Sequence, residues 1–228
     1  MSRVVENFLA VKAEVEAAAA AAGRNPGEVK LLVVSKTIPL PVIAELYACG
    51  VREFGENRIA ELAGKAAAMP SDVVWHFIGP VQSNKVRRIV QCAGVIHSVD
   101  TVEKLERFDR IAGEEGKCPE ILLEVNVSGE ASKGGVSPAE LPVLAAAAAK
   151  CAHLRCRGLM TMAPLAAEHD ELMSIFSALR RLRDEVAAAC NCEWPVLSMG
   201  MSRDFPEAIR CGATVVRVGS RIFAGVPR

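Results

Sequence analysis

The sequence has no net charge, no long apolar run and no Cys-x-x-Cys pair, and each absence removes a class of function. Lys and Arg total 27, and so do Asp and Glu. A broad nucleic-acid or anionic-membrane surface needs a large excess of Lys and Arg, so neither partner is expected and only a local basic pocket is allowed. No stretch reaches the roughly 18 apolar residues of a bilayer-spanning helix. The opening MSRVVENFLAVKAEVEAAAA carries charges throughout and lacks the apolar segment of a secretory signal, so a cytoplasmic protein is expected. The eight cysteines (Cys49, Cys92, Cys118, Cys151, Cys156, Cys190, Cys192 and Cys211) are then expected as reduced thiols. Cys190-Asn191-Cys192 has no His or Cys companion at zinc-finger spacing, and no metal is expected. No G-x-G-x-x-G follows the first apolar run, which argues against a doubly wound dinucleotide fold.

What is present is a regular alternation of short apolar runs and helical patterns. Hydrophobic residues make up 51% of the 228, too many for a disordered chain and enough for a substantial core. After a leading helix over 3–22, strands are expected at 29–36, 52–54, 73–78, 95–99, 121–127, 154–160, 194–197 and 214–218. Helices are expected at 42–49, 58–68, 84–92, 101–115, 138–151, 168–190 and 205–211. Strands alternating with helices imply parallel pairing through crossover helices. About eight such units in some 200 residues predict a single α/β domain over 1–228, a (β/α)8 TIM-like barrel with an extra N-terminal helix.

A barrel places function at the C-terminal ends of its strands. Lys36 follows an apolar run, and Leu32, Val34 and Lys36 share a face. If Val34 points inward, Lys36 projects into the mouth, where partial desolvation would lower its pKa and expose an amine able to form a Schiff base. The bland reading is a solvated lysine at a strand end. Ser198-Met199-Gly200-Met201-Ser202 follows the seventh run, and Arg217-Val218-Gly219-Ser220 closes the eighth. Small residues at these two places let backbone N–H groups approach a phosphate, with serine hydroxyls as added donors. Arg217 lies two residues before Gly219, so both can face the mouth, and its guanidinium needs an anion or another acceptor. His76 is read as a supporting residue, His97 and His153 as structural. Asn126 and Ser98 are placed near the mouth, Met160 and Met162 near it or in the core, and Lys133-Gly134-Gly135 in a loop able to act as a lid. A Schiff-base lysine with a phosphate cradle fits pyridoxal 5′-phosphate and a sugar phosphate about equally well.

Eight colinear segments carry a resemblance over nearly the whole chain. They are 34–37 (VSKT), 54–57 (FGEN), 76–79 with 82–85 (HFIG, QSNK), 98–100 (SVD), 124–127 with 133–135 (EVNV, KGG), 158–162 (GLMTM), 198–204 (SMGMSRD) and 216–220 (VRVGS). The sequence resembles the pyridoxal phosphate homeostasis protein family. Arg58, where many members carry an aromatic residue, and Ala224 in the tail depart from its pattern. The resemblance implies the barrel of the N-terminal domain of alanine racemase and pyridoxal 5′-phosphate held on Lys36 as an internal aldimine. It implies phosphate contacts from Ser202, Gly219 and Ser220, Asn57 near the imine, Met201 near the cofactor and Arg217 at the pyridine nitrogen.

Arginine cannot accept a proton, so Arg217 would keep the ring nitrogen unprotonated and weaken the cofactor as an electron sink. Alanine racemase works with that arrangement by using a second base, a tyrosine from another domain and subunit. Here the only tyrosine is Tyr47, expected on the packed face of the helix after the first strand, and the sequence stops about eight residues past Ser220. The expectation is therefore a cofactor-binding protein of vitamin B6 homeostasis that buffers and delivers pyridoxal phosphate without robust turnover, a monomer with apo-enzymes as transient recipients. The alternatives are an amino-acid racemase using the same cofactor, and a Schiff-base aldolase acting on a sugar phosphate.

Overall fold

The computed structural model describes residues 1–226. Eight parallel strands close into a barrel: β1 (Lys30–Val34), β2 (Glu53–Glu56), β3 (Val74–Phe77), β4 (Val95–Val99), β5 (Glu120–Glu124), β6 (Arg155–Met160), β7 (Val196–Met201) and β8 (Val215–Val218). Closure comes from β1 pairing with β8, Leu31 opposite Val216 and Leu32 opposite Arg217. The helices are α1 (Arg3–Ala21), α2 (Leu40–Ala48), α3 (Ile59–Ala68), α4 (Val86–Cys92), α5 (Val102–Glu114), α6 (Leu141–Ala148), α7 (His169–Ala189) and α8 (Phe205–Arg210). The expected (β/α)8 barrel with a leading N-terminal helix is the fold observed, and α1 is one of the eight α-helices among the described residues.

Local chemistry explains the elements. In α1, Val4, Val11, Val15 and Ala19 recur at helical spacing and are buried. The helix stops where Gly23 takes a positive φ of 69°, which costs a glycine little. In α5, Thr101 accepts the Lys104 N–H and supplies the cap. The main core lies between strands and helices, with Phe54, Phe77, Ile96, Leu123, Leu159, Leu197 and Val216 buried in it. Phe54 and Trp75 pack with ring centres 5.6 Å apart.

The barrel interior is different, because much of it is polar. His97 on β4 bonds Ser198 on β7, strands that are not neighbours, so this contact spans the lumen.

Several expected boundaries shift. β1 ends at Val34, two residues before Lys36, and α6 is shorter than 138–151. The largest change is β7, expected at 194–197 and found at Val196–Met201. Its Ser and Gly residues have the composition of a turn, but Ser198 pairs with Val215 and Met201 with Arg217 inside the sheet. Gly200 has φ 90°, and a Cβ there would sit 2.6 Å from the Ala208 side chain, so this strand position requires glycine.

Candidate functional site

At the C-terminal end of the barrel a cavity of about 630 Å³ opens between the loops that follow β1, β2, β3, β6, β7 and β8. Lys36, Asn57, Met201, Ser202, Arg217, Gly219 and Ser220 all line it, together with Val34, Gly79, Met160 and Met162. A larger groove of about 1060 Å³ on the outside, between α5 and α6, holds none of them.

Lys36 sits in a turn held from both sides. The Ser35 carbonyl accepts from Lys65 Nζ at 2.8 Å, and the Thr37 N–H donates to Glu61 Oε2 at 3.0 Å. Lys65 also pairs with Glu56, whose Oε1 accepts from Ser35 Oγ at 2.9 Å. Glu56 is fully buried, and its Oε2 has no hydrogen-bond partner. Thr37 takes φ 61°, a left-handed conformation that a β-branched residue rarely adopts. Lys36 itself is exposed, which corrects the expectation of a partly desolvated amine. Its place in the cavity lining rather than its burial distinguishes this lysine.

The same cavity holds a cradle. Ser220 Oγ and Ser202 Oγ are 2.9 Å apart at the cavity wall. A Cβ on Gly219 would stand 2.8 Å from the Val34 carbonyl, so only glycine lets the end of β8 approach β1 this closely. Two hydroxyl donors beside a bare stretch of backbone suit a phosphate.

Arg217 is buried and donates to Ser198 Oγ at 2.6 Å and to the Thr161 carbonyl at 2.9 Å. Burial lowers its pKa to about 10, against the opposing pull of Asp204 and Glu124, and it remains a cation at neutral pH. From Ser198 a line of side chains crosses the lumen. His97 Nδ1 lies 3.0 Å from Ser198 Oγ, His97 Nε2 lies 2.9 Å from His76 Nδ1, and His76 Nε2 lies 2.9 Å from Glu53 Oε2. Lys30 Nζ donates to the other Glu53 oxygen at 2.7 Å. Burial pushes the pKa of His76 down and that of His97 well down, so both imidazoles are neutral. Burial works to raise Glu53, but bonds from His76 and Lys30 outweigh it and hold the carboxyl at about 2.

The remaining sequence-based placements divide. His76 supports the site through this line. His97, read as structural, stands one serine away from Arg217. An inward polar residue in mid-strand was the available signal. Ser98 donates to the Gly79 carbonyl at 2.6 Å, behind the cavity. Asn126 organises its own loop by donating to the Glu130 carbonyl and accepting from Gly129 N–H. The Lys133-Gly134-Gly135 segment is pinned by backbone bonds between Val136 and Glu124 and between Asn126 and Val136. His153 is exposed beside Asp109. Tyr47 donates its hydroxyl to Asp72 and lies outside the cavity lining. Glu124 lies outside the cavity lining; its carboxyl is raised to about 7 by burial and by Asp100, with Gly134 packed over it. Among the described residues no group of three or more His, Cys, Asp or Glu is arranged to hold a metal ion.

Comparison with known proteins places this geometry. The family described as alanine racemase, N-terminal domain, matches residues 8–227. The pyridoxal phosphate homeostasis protein of Pseudomonas aeruginosa is 43% identical over 224 residues, covering 98% of this chain and 96% of the relative. The chain belongs to the pyridoxal phosphate homeostasis protein family. A solved structure from this family's neighbourhood, PipY of Synechococcus elongatus PCC7942 with pyridoxal phosphate bound, superposes with a TM-score of 0.85 at 36% identity, covering 97% of this chain and all of that one. Alanine racemase from Corynebacterium glutamicum superposes with a TM-score of 0.71 at 18% identity, over 99% of this chain and 62% of its own, and shares the fold.

Proposed function

We propose that the chain binds pyridoxal 5′-phosphate through Lys36 and holds and hands on this cofactor in vitamin B6 homeostasis rather than turning over a substrate. The observation that carries the reading is the convergence of an exposed lysine amine, a hydroxyl pair beside a glycine cradle and a buried guanidinium on one cavity of about 630 Å³. That volume is within the ~300–1,000 Å³ of small-molecule sites. When bound, pyridoxal phosphate supplies an aldehyde that condenses reversibly with a primary amine.

In this reading Lys36 is the covalent anchor. Ser202, Ser220 and the backbone at Gly219 hold the phosphate, while Asn57 and Met201 flank the ring. Arg217 presents an N–H to the pyridine nitrogen and cannot take a proton from it, which disfavours electron-sink chemistry. A racemase would also need a second base facing the anchor, and the sole tyrosine is engaged with Asp72. The exposure of Lys36 leaves the link open to an incoming amine, as delivery to an apo-enzyme requires. A cytoplasmic monomer fits this role; no helix among the described residues is long and apolar enough to cross a membrane.

The test is borohydride trapping of the protein mixed with pyridoxal phosphate, followed by peptide mass mapping. A reduced adduct on Lys36 that Lys36→Ala lacks is expected, with no conversion of L- to D-alanine above free cofactor. An adduct scattered over surface lysines would overturn the cofactor assignment and bring forward a sugar-phosphate aldolase.

A further inference from the structure

We propose that Glu53, at the N-terminal end of the barrel, positions Arg217 at the opposite end through a one-way hydrogen-bond chain running Arg217, Ser198, His97, His76, Glu53. The proposal rests on the reading of Arg217 as the partner of the cofactor's ring nitrogen. The links measure 2.6, 3.0, 2.9 and 2.9 Å, with Arg217 donating at one end and Glu53 accepting at the other.

The two ends fix the direction. Guanidinium has only donors and carboxylate only acceptors. Ser198 Oγ accepts from Arg217 and passes its own proton to His97 Nδ1, which must therefore be bare. The His97 proton is then on Nε2 and goes to His76 Nδ1. The His76 proton is in turn on Nε2 and goes to Glu53. Each link is made once, and all four imidazole nitrogens are used. The reverse arrangement of two neutral rings would aim a bare His76 Nε2 at a carboxylate, acceptor against acceptor. The ring planes are inclined by 61° with centres 5.2 Å apart, so the two rings meet through one nitrogen of each.

The consequence lies at the cavity. With one guanidinium nitrogen held by Ser198 and another by the Thr161 carbonyl, the group is fixed in its plane, and its remaining N–H groups are left for the ligand. A chain polarised from cation to anion strengthens each link in turn. Glu53, whose side chain is only 28% exposed and which is outside the cavity lining, thus acts on the cofactor through four other residues.

Glu53→Gln tests this, because an amide both donates and accepts and so releases the direction while keeping the shape. The control is Glu114→Gln, which removes the same charge at the end of α5, where Glu114 pairs with Arg110. The first readout is the tautomer of each histidine by ¹⁵N NMR of the imidazoles in wild-type protein without added ligand. Protons on Nε2 of both His76 and His97 are expected, and a proton on Nδ1 of His97 would overturn the chain whatever the protein binds. The second readout is the dissociation constant and visible absorption band of added pyridoxal phosphate. Glu53→Gln is expected to mix the tautomers, weaken binding about two- to fivefold and shift the band, while Glu114→Gln changes none of these. An unchanged constant and band in Glu53→Gln, or equal changes in the control, would overturn the positioning role. A wild type with the expected tautomers that binds no pyridoxal phosphate would sink the functional reading on which that role depends, and leave the chain itself established.

Discussion

Replacing Lys65 by methionine should cost far more than a surface lysine would. In the sequence Lys65 reads as a solvated charge on α3, yet it is 7% exposed and its ammonium serves both Glu56 and the Ser35 carbonyl. Methionine fills similar volume but leaves the fully buried Glu56 carboxylate with Ser35 Oγ as its remaining side-chain donor. Breaking a buried pair from one side costs about 3–5 kcal/mol, whereas removing both partners together is often close to neutral. For a protein of this size about 1 kcal/mol shifts the melting temperature by ~2–4 °C, so a drop of roughly 6–20 °C is expected. Urea denaturation at constant m-value measures it, alongside Glu56→Gln and the double variant. The double should recover a large part of the loss, with a coupling of about 1–3 kcal/mol. Lys65→Met should also loosen the turn that presents Lys36 and slow reductive trapping there. A loss below about 1 kcal/mol, or a double variant at the simple sum of the singles, would refute the argument that α3 clamps the anchor turn through this pair.

Further outcomes follow from the same geometry. Gly219→Ala should force the ends of β1 and β8 apart, because the new methyl meets the Val34 carbonyl at 2.8 Å; a loss of about 1–3 kcal/mol and weaker binding of inorganic phosphate, by calorimetry, are expected. Glu124 is raised from 4.5 to about 7, so the folded state binds the extra proton and its contribution to stability falls as pH rises through that window. Wild type should therefore lose up to about 3 kcal/mol relative to Glu124→Gln between pH 4.5 and 8, a difference unaffected by the opposite slope that neutral His76 and His97 impose below 6.5. A constant difference across that range, by chemical denaturation, would count against a buried carboxyl at this position. Ser198→Ala should weaken pyridoxal phosphate binding without abolishing trapping on Lys36, since it frees Arg217 and leaves the anchor turn untouched.

The strand-and-helix alternation was readable because each strand is a short apolar run between turn residues, and because eight such units have one common closure. Lys36, Arg217, Gly219 and Ser220 were readable because they sit where apolar runs end. What failed has a physical cause. Alternation along a strand separates two faces but does not say which one looks into the lumen, so His97 passed for core. Ser-Met-Gly-Met-Ser has turn composition and reads as a loop, while a barrel lumen accepts small and polar residues in mid-strand. The Glu56–Lys65 pair lies nine residues apart, across a strand end and a helix, and no helical or strand period connects them. His97 and Ser198 are 101 residues apart, and only barrel closure brings them together.

That last separation bears on how the barrel assembles. The β1–β4 half carries Glu53, His76 and His97, and the β5–β8 half carries Ser198 and Arg217. Either half alone would bury polar groups whose partners belong to the other, so neither half is a good stopping point during folding. Here the lumen couples the two, and the expected behaviour is a single cooperative transition in which the first strand gains its full worth only when the last has arrived.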